Sequence, residues 1–388
     1  MRSCALNPMD ELFACHDEYQ LHLPLYYARG LDGAALTRAL EAVAEVFWPL
    51  AAVLVRRDDG LYLEESAAAR PCVEEVDARN QAVRLDDPAW LQRLARPIAQ
   101  TPGARLTRFV VYHLAQGSLL SVNLAHVLVD GSSAFHFLAA WAAQCREGQL
   151  APELRPRTLA RDALIPERGP ELGGADLARL VFERTGYAYT GDPASAAPRS
   201  VAWQTLELGP AEFGAGGGRL STHDLVSAYL WRWTAERWYQ GNPRLRLCGS
   251  VDIRRTDPRL RGYFGNAVAA SVLELTRDEV LGTELPALAE RIRRSKDEVD
   301  LGRVLLGLRL LRALREQHGA DALRATTLIE PAGGLLVDDM TRVPTRLVDF
   351  GSGPPVLANP SAAIARIAIV FFGSAHDQCR VQIAGPAR

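Results

Sequence analysis

The sequence predicts a mixed α/β (α+β) protein of two domains, and three observations carry that expectation. At 388 residues the chain is longer than a single hydrophobic core ordinarily supports. Strand-like and helix-like patterns alternate along it, most sharply where one gives way to the other between residues 120 and 142. A turn-rich, weakly periodic stretch at 184–200 divides it near the middle. The expected organisation is an N-terminal domain over 1–183, a crossover linker over 184–200 and a C-terminal domain over 201–388.

Taken in order, Leu36, Leu40, Val43 and Phe47 recur at helical spacing and mark an amphipathic helix soon after Gly33. Residues 51–64 read as a hairpin turning at Arg57-Asp58-Asp59-Gly60. Residues 109–129 carry no Asp, Glu, Lys or Arg and approach membrane-spanning length. They include His113, Gln116, Ser121, Asn123 and His126, so a buried strand pair is the better reading. Within it Leu120, Val122 and Leu124 alternate with Ser121, Asn123 and Ala125, the pattern of a strand with one buried face that runs into His126. After Gly131 the spacing of Phe135, Leu138, Ala139 and Ala142 is helical, with Ser132 or Ser133 placed to cap it.

In the second half, Ser221 and Thr222 are placed to cap a helix whose apolar stripe is Leu225, Tyr229 and Trp233, flanked by Val226 and Leu230. A third helical stretch covers about 285–317. Segments 363–372 and 378–384 read as a hairpin turning at 373–377, and no internal repeat is present.

Composition narrows the function classes. With 48% hydrophobic and 23% charged residues the chain is an ordinary globular one. A formal net charge of −2 gives no global attraction to nucleic acid or to an anionic membrane, which leaves a small molecule as the expected partner. Lys296 is the only lysine, which reads as the codon bias of a GC-rich, bacterial genome. The six cysteines form no CxxC or CxxH pair, so neither a zinc site nor a disulfide framework is expected. With Asp10, Glu11, Asp17 and Glu18 near its start, the chain shows no signal-peptide pattern, and a cytoplasmic protein is expected.

The chemistry centres on His126-Val127-Leu128-Val129-Asp130-Gly131. An imidazole at a strand end titrates near neutrality and is suited to take a proton from an attacking nucleophile. Asp130 is expected to turn inward onto an arginine, and Gly131 to supply the tight backbone between strand and helix. Six residues of this kind also arise by accident, and a lone histidine beside a strand is more often structural. The context decides between the two.

The block from His126 to Gly148 resembles the catalytic motif and following helix of the BAHD acyltransferases, relatives of chloramphenicol acetyltransferase and of peptide-synthetase condensation domains. Asp349-Phe350-Gly351-Ser352-Gly353 resembles that family's second signature, DFGWG. Ser221-Thr222-His223-Asp224 leading to Trp231-Arg232, and Val251-Asp252-Ile253-Arg254 leading to Tyr263-Phe264-Gly265-Asn266, match in the same order. So do Pro24-Leu25-Tyr26-Tyr27 and Phe47-Trp48-Pro49-Leu50, and the similarity covers essentially the whole chain.

The resemblance implies two chloramphenicol-acetyltransferase-like domains of mixed sheets and flanking helices that enclose a solvent channel. It makes His126 the general base and Asp130 a structural neighbour, with Arg254 as its candidate partner. Asp349 and Gly351 belong to a loop that holds the channel's shape. No metal or bound cofactor is implied; acyl-CoA or an acyl-phosphopantetheine is the co-substrate. An oxyanion must be stabilised, and Asn266 and Ser352 are the candidates. Ser352 stands where the family usually has Trp, which implies a bulkier donor, a donor tethered to an acyl carrier protein, or a compensated packing change.

Weaker signals complete the expectation. Gly214 to Arg219 precedes the Ser221 helix, so Arg219, Ser221 and Thr222 are donor-binding candidates at a helix N-terminus, with a plain surface turn as the competing reading. Arg291, Arg293, Arg294 and Lys296 interleave with acids and read as a solvated helix face. The remaining histidines read as structural or exposed, and the absence of GxSxG disfavours a serine hydrolase. The expectation is thus a free-standing, monomeric enzyme that acylates a hydroxyl or amine of a small acceptor. A carrier-dependent condensation enzyme and a non-catalytic module of the same fold are the alternatives.

Overall fold

The structure is a computed structural model and describes residues 1–388 except 18, 162–163, 167–176, 194–200, 215–218, 328–332, 361–366, 373–377 and 387–388. The expected turn at 373–377, much of the 184–200 crossover and the glycines of 215–218 therefore lie outside the described residues. The chain forms two compact units, each assembled from three segments. The first comprises residues 1–165, 257–267 and 343–363; the second comprises 166–256, 268–342 and 364–388.

The first unit is built on a five-stranded sheet. Its spatial order is Leu357–Ala358, Gln20–Tyr27, Ser118–Ala125, Thr107–His113 and Val73–Asp77. All neighbours are antiparallel except the last pair. Ser3–Ala5, Gly60–Glu65 and Ala52–Arg57 form a smaller antiparallel ribbon, with the expected turn at Asp58-Asp59. Helices Gly33–Val46 and Gly131–Glu147 pack together. Trp141 of the second meets Phe109 of the sheet at 5.2 Å between ring centres and donates its indole N–H to the Leu36 carbonyl at 2.9 Å.

The strand Ser118–Ala125 was expected to bury one face, yet every residue in it is buried. Its apolar side faces the helices. Its polar side is roofed by the chain around the short helix Pro88–Arg93, whose Trp90, Leu91 and Leu94 cluster with Val110, Tyr112 and Leu119. Alternation here reports hydrogen-bonding need and not exposure. Ser121 donates to the Leu94 carbonyl at 3.2 Å, and Asn123 accepts from the Arg96 N–H at 3.0 Å.

The second unit holds a six-stranded mixed sheet. Its order is Val268–Thr276, Arg244–Asp252, Gly334–Asp339, Ile367–Phe372, Cys379–Pro386 and Val201–Leu208. Helix Thr222–Arg237 buries Leu225, Val226, Leu230 and Trp231 against it, while Tyr229 and Trp233 of the expected stripe are only partly covered. Ile367–Phe372 and Cys379–Pro386 pair antiparallel, as the hairpin reading requires. The helical stretch expected over 285–317 is two helices, Leu285–Asp297 and Leu301–His318. Asp300 separates them by capping the second, accepting the Arg303 N–H at 2.7 Å. Among the described residues, no helix is long and apolar enough to cross a membrane.

Candidate active site

The strand Ser118–Ala125 ends one residue before His126, whose N–H donates at 2.9 Å to the carbonyl of Tyr19, just ahead of the adjacent strand Gln20–Tyr27. The ring is half-buried and lies against the Phe13 ring, 4.2 Å between centres. Its Nδ1 is 3.1 Å from Asn266 Oδ1. Which way that amide faces follows from its other partners. Asn266 Nδ2 lies 2.7 Å from Asp10 Oδ1 and 2.7 Å from the His126 carbonyl, both pure acceptors when Asp10 is charged. The amide nitrogen must face them, so its oxygen faces Nδ1. An acceptor at Nδ1 puts the ring proton there and leaves the lone pair on Nε2, the atom free to act as a base.

Asp130 is buried. It is itself the N-cap of helix Gly131–Glu147, its Oδ1 accepting the Ser133 N–H at 2.9 Å. Ser132 and Ser133 were expected in that role. The other carboxylate oxygen accepts the Ala267 N–H at 2.8 Å. Ser133 Oγ accepts from the Gly265 N–H at 3.1 Å and lies 2.9 Å from the Gly265 carbonyl, to which it donates. Gly265 has φ +155°, and a Cβ there would strike the Tyr263 ring within 3.0 Å, so only glycine fits. The histidine motif and the Tyr263–Ala267 strip are thus clamped residue by residue. This accounts for the spacing of both motifs. Arg254, expected beside Asp130, donates from its N–H and Nη1 to Asp252 Oδ1 at 3.0 Å.

Behind Asn266 lies a buried ion pair that sequence reasoning missed. Asn7 caps helix Pro8–Ala14 by accepting the Met9 and Asp10 N–H groups at 3.0 Å, and this turns Asp10 into the interior. Arg161, wholly buried, donates from Nη1 to Asp10 Oδ2 and from Nη2 to the Leu128 carbonyl at 2.6 Å. Burial pushes the Asp10 carboxyl upward, opposed by Arg161 and Asn266. Burial also works against the Arg161 charge, but Asp10 more than restores it and holds the guanidinium above its ordinary value. Asp10 and Glu11 had been read only as acids at a chain start. Both are buried, Glu11 accepting the Leu61 N–H at 3.1 Å. The one local signal was Asn7-Pro8 ahead of an apolar run, a helix-start pattern.

The two oxyanion candidates do not serve. Both N–H bonds of the Asn266 amide are directed at acceptors, which makes it a partner of the imidazole instead. Ser352 sits in a loop docked at the far end of helix Gly131–Glu147. Arg146 donates to the Asp349 carbonyl, and Trp141 meets Phe350 at 5.0 Å. At 1.5 Å per residue, the span from Gly131 to Arg146 is about 22 Å, beyond reach of a group reacting at His126. The loop is a self-contained turn. Asp349 Oδ1 accepts the Gly351 and Gly353 N–H groups at 2.8 Å, and both glycines have positive φ. Ser352 Oγ donates to the Gly30 carbonyl at 2.8 Å, and its own carbonyl accepts from Arg29 at 3.0 Å. Hydrogen bonds anchor this loop where a Trp would anchor it by packing.

Of the donor-binding candidates in the second unit, Ser221 takes the capping place expected of it. Ser221 is the N-cap of helix Thr222–Arg237, in a capping box with Asp224. The anion at that helix terminus is the protein's own Asp224. It accepts from Arg293 at 2.8 Å and from Lys296 at 2.9 Å. Arg219 is 88% exposed and pairs with Asp297 at 3.4 Å. Lys296, read as part of a solvated face, is largely buried and also donates to His223 Nδ1 at 2.7 Å. Burial would raise the Asp224 carboxyl, but Lys296 and the Ser221 donors outweigh it and hold it below the usual carboxylate range. Burial, with Lys296 beside it, lowers His223 to about 4.

Comparison with known proteins agrees with the whole-chain extent of the motifs. A family model described as the Transferase family matches residues 66–384. Hydroxycinnamoyltransferase 2 of Oryza sativa subsp. japonica is 28% identical over 372 residues, covering 89% of this chain and 82% of the rice protein. Putrescine hydroxycinnamoyltransferase 1 of the same plant is 29% identical over 360 residues, covering 87% and 78%. Among solved structures, F. sporotrichioides TRI101 complexed with coenzyme A and T-2 superposes with a TM-score of 0.73 at 16% identity, covering 99% of this chain and 95% of that one. With its mixed two-unit α/β fold and its two signatures in register, the chain belongs to the Transferase family, that of the BAHD acyltransferases, and is an acyltransferase.

Proposed function

We propose that the protein transfers an acyl group from acyl-CoA to a hydroxyl or amine of a small acceptor, with His126 as general base. The observation that carries this is the contact between His126 Nδ1 and Asn266 Oδ1. It fixes the neutral ring with its lone pair on Nε2, before any substrate arrives. In the reaction Nε2 takes the proton from the acceptor oxygen or nitrogen as that atom attacks the thioester carbonyl. The tetrahedral oxyanion then collapses, the carbon–sulfur bond breaks, and the thiolate leaves with the proton the imidazolium returns. The relatives named for hydroxycinnamoyl transfer make hydroxycinnamoyl-CoA thioesters the first donors to try.

Changing His126→Ala is expected to lower kcat by about 10²–10⁴-fold, since general acid–base catalysis contributes on that scale. Thermal unfolding and acyl-CoA binding stay as in the parent protein. Full turnover in that variant overturns the assignment. The second reading keeps the chemistry but takes the acyl group from a carrier protein. Matched acyl-CoA and acyl-carrier substrates, compared by rate of thiol release, separate the two. We place the enzyme in the cytoplasm as a monomer. In support of the monomer, His126, Asn266, Asp10 and Arg161 belong to one unit of one chain. Sedimentation of the purified chain checks the oligomeric state.

A further inference from the structure

We propose that Asp10 is a positioning residue for His126, setting the imidazole's tautomer through Asn266. The inference rests on the reading of His126 as a base that works from Nε2. An asparagine amide is nearly symmetric in shape, and packing alone does not distinguish its oxygen from its nitrogen. Its orientation is decided by what its two ends face. Here the nitrogen end faces the His126 carbonyl and Asp10 Oδ1, each at 2.7 Å. The carbonyl holds one amide hydrogen, and the carboxylate holds the other.

A flip of the amide would put its oxygen against a buried carboxylate and its N–H against His126 Nδ1. The ring would then have to accept at Nδ1 and carry its proton on Nε2, where it has no lone pair to take a proton from substrate. Asp10 penalises that flip as long as it is ionised. Arg161 favours that state, from a site where neither partner is exposed. Arg161 also donates to the Leu128 carbonyl at 2.6 Å, so the counter-ion is fastened to the same loop that carries the histidine. The order is Arg161, Asp10, Asn266, His126, with each member oriented by the one behind it. Asp10 never touches substrate in this scheme. Its effect reaches the reaction only as the fraction of enzyme holding the Nδ1–H tautomer.

Two measurements on the full chain test this. The first is turnover of a hydroxycinnamoyl-CoA by Asp10→Asn, where a carboxamide accepts and donates and no longer prefers one Asn266 orientation. We expect kcat to fall by about 10–100-fold, the scale on which orienting partners act, with the KM for acyl-CoA unchanged. The second is the ¹⁵N spectrum of ring-labelled histidine, with the His126 signals identified by their loss in His126→Gln. The parent protein is expected to show Nδ1 protonated and Nε2 bare, and Asp10→Asn a mixture. The tautomer is read without turnover, so it stands or falls independently of the acyl-transfer reading.

Should Asp10→Asn fail to fold because Arg161 loses its counter-charge, the double variant Asp10→Leu with Arg161→Met removes the pair while keeping its volume. The same two changes are expected there. Parental kcat overturns the proposal, as does a lowered kcat with an unmoved tautomer, which would make Asp10 a merely structural residue.

Discussion

A charged side chain in the interior is held by what surrounds it, and two such sites set how single substitutions behave in this protein. Lys296 has a side chain 10% exposed and donates to Asp224, which is fully buried. Removing Lys296 leaves Asp224 with Arg293 as its remaining cation and loses the hydrogen bonds that Lys296 makes. Lys296→Met is therefore expected to destabilise the protein by about 1.5–3 kcal/mol, the scale of a hydrogen bond to a charged group, read as a lower urea midpoint at unchanged slope; a midpoint equal to that of the parent contradicts it. The identity of these residues was visible in the sequence, but their environment was not. Arg293 and Lys296 sit three apart among acids, the ordinary signature of a wet helix face. Only the partner helix Thr222–Arg237 converts Lys296 into a buried ligand of Asp224. Asp10 is the stronger case, because its contact with Asn266 spans 256 residues and no local pattern encodes it.

At the level of elements, Asp130 shows one carboxylate joining two segments. It caps helix Gly131–Glu147 through Ser133 and holds the Ala267 N–H of the returning strip. Asp130→Ala removes a helix cap, about 1 kcal/mol, and strands a buried N–H, about 1–3 kcal/mol. The expected loss of about 2–4 kcal/mol shows in thermal unfolding, and Asp130→Asn, which keeps one acceptor, loses less. Loss in the two variants to the same extent would contradict the bridging role. Elements with strong periodicity were legible in advance, including helix Gly33–Val46, the 52–65 hairpin and the strand before His126. Where periodicity misled, a side chain had taken over from the pattern. Asp300 cut one expected helix in two, and Ser121 and Asn123 were buried because the 90–98 segment offered them hydrogen bonds.

For the whole molecule, burial of neutral histidines ties stability to pH. His22, in the first unit, accepts no charge because burial lowers it to about 3; His223, in the second, is lowered to about 4 by burial and by Lys296. In the unfolded chain both protonate near 6.5, so between pH 6.5 and 4 the unfolded state binds protons that the folded state refuses. Stability is therefore intact above pH 6.5 and falls as the pH drops through that window. From pH 7 to pH 5 each histidine is expected to account for about 2 kcal/mol. Urea unfolding at the two pH values measures the sum, and His22→Gln should remove its share. A pH-independent midpoint over that range would contradict both assignments.

The strip 257–267 belongs to the first unit but is reached only after the chain has built a long run of the second. On a ribosome, therefore, the strand, the histidine and the helix that follows emerge without the amide that orients the imidazole. About two-thirds of the polypeptide must be made before Asn266 can dock on Asp10 and before Asp130 and Ser133 find Ala267 and Gly265. A nascent or truncated N-terminal half would carry the signature motif without the amide that faces its imidazole.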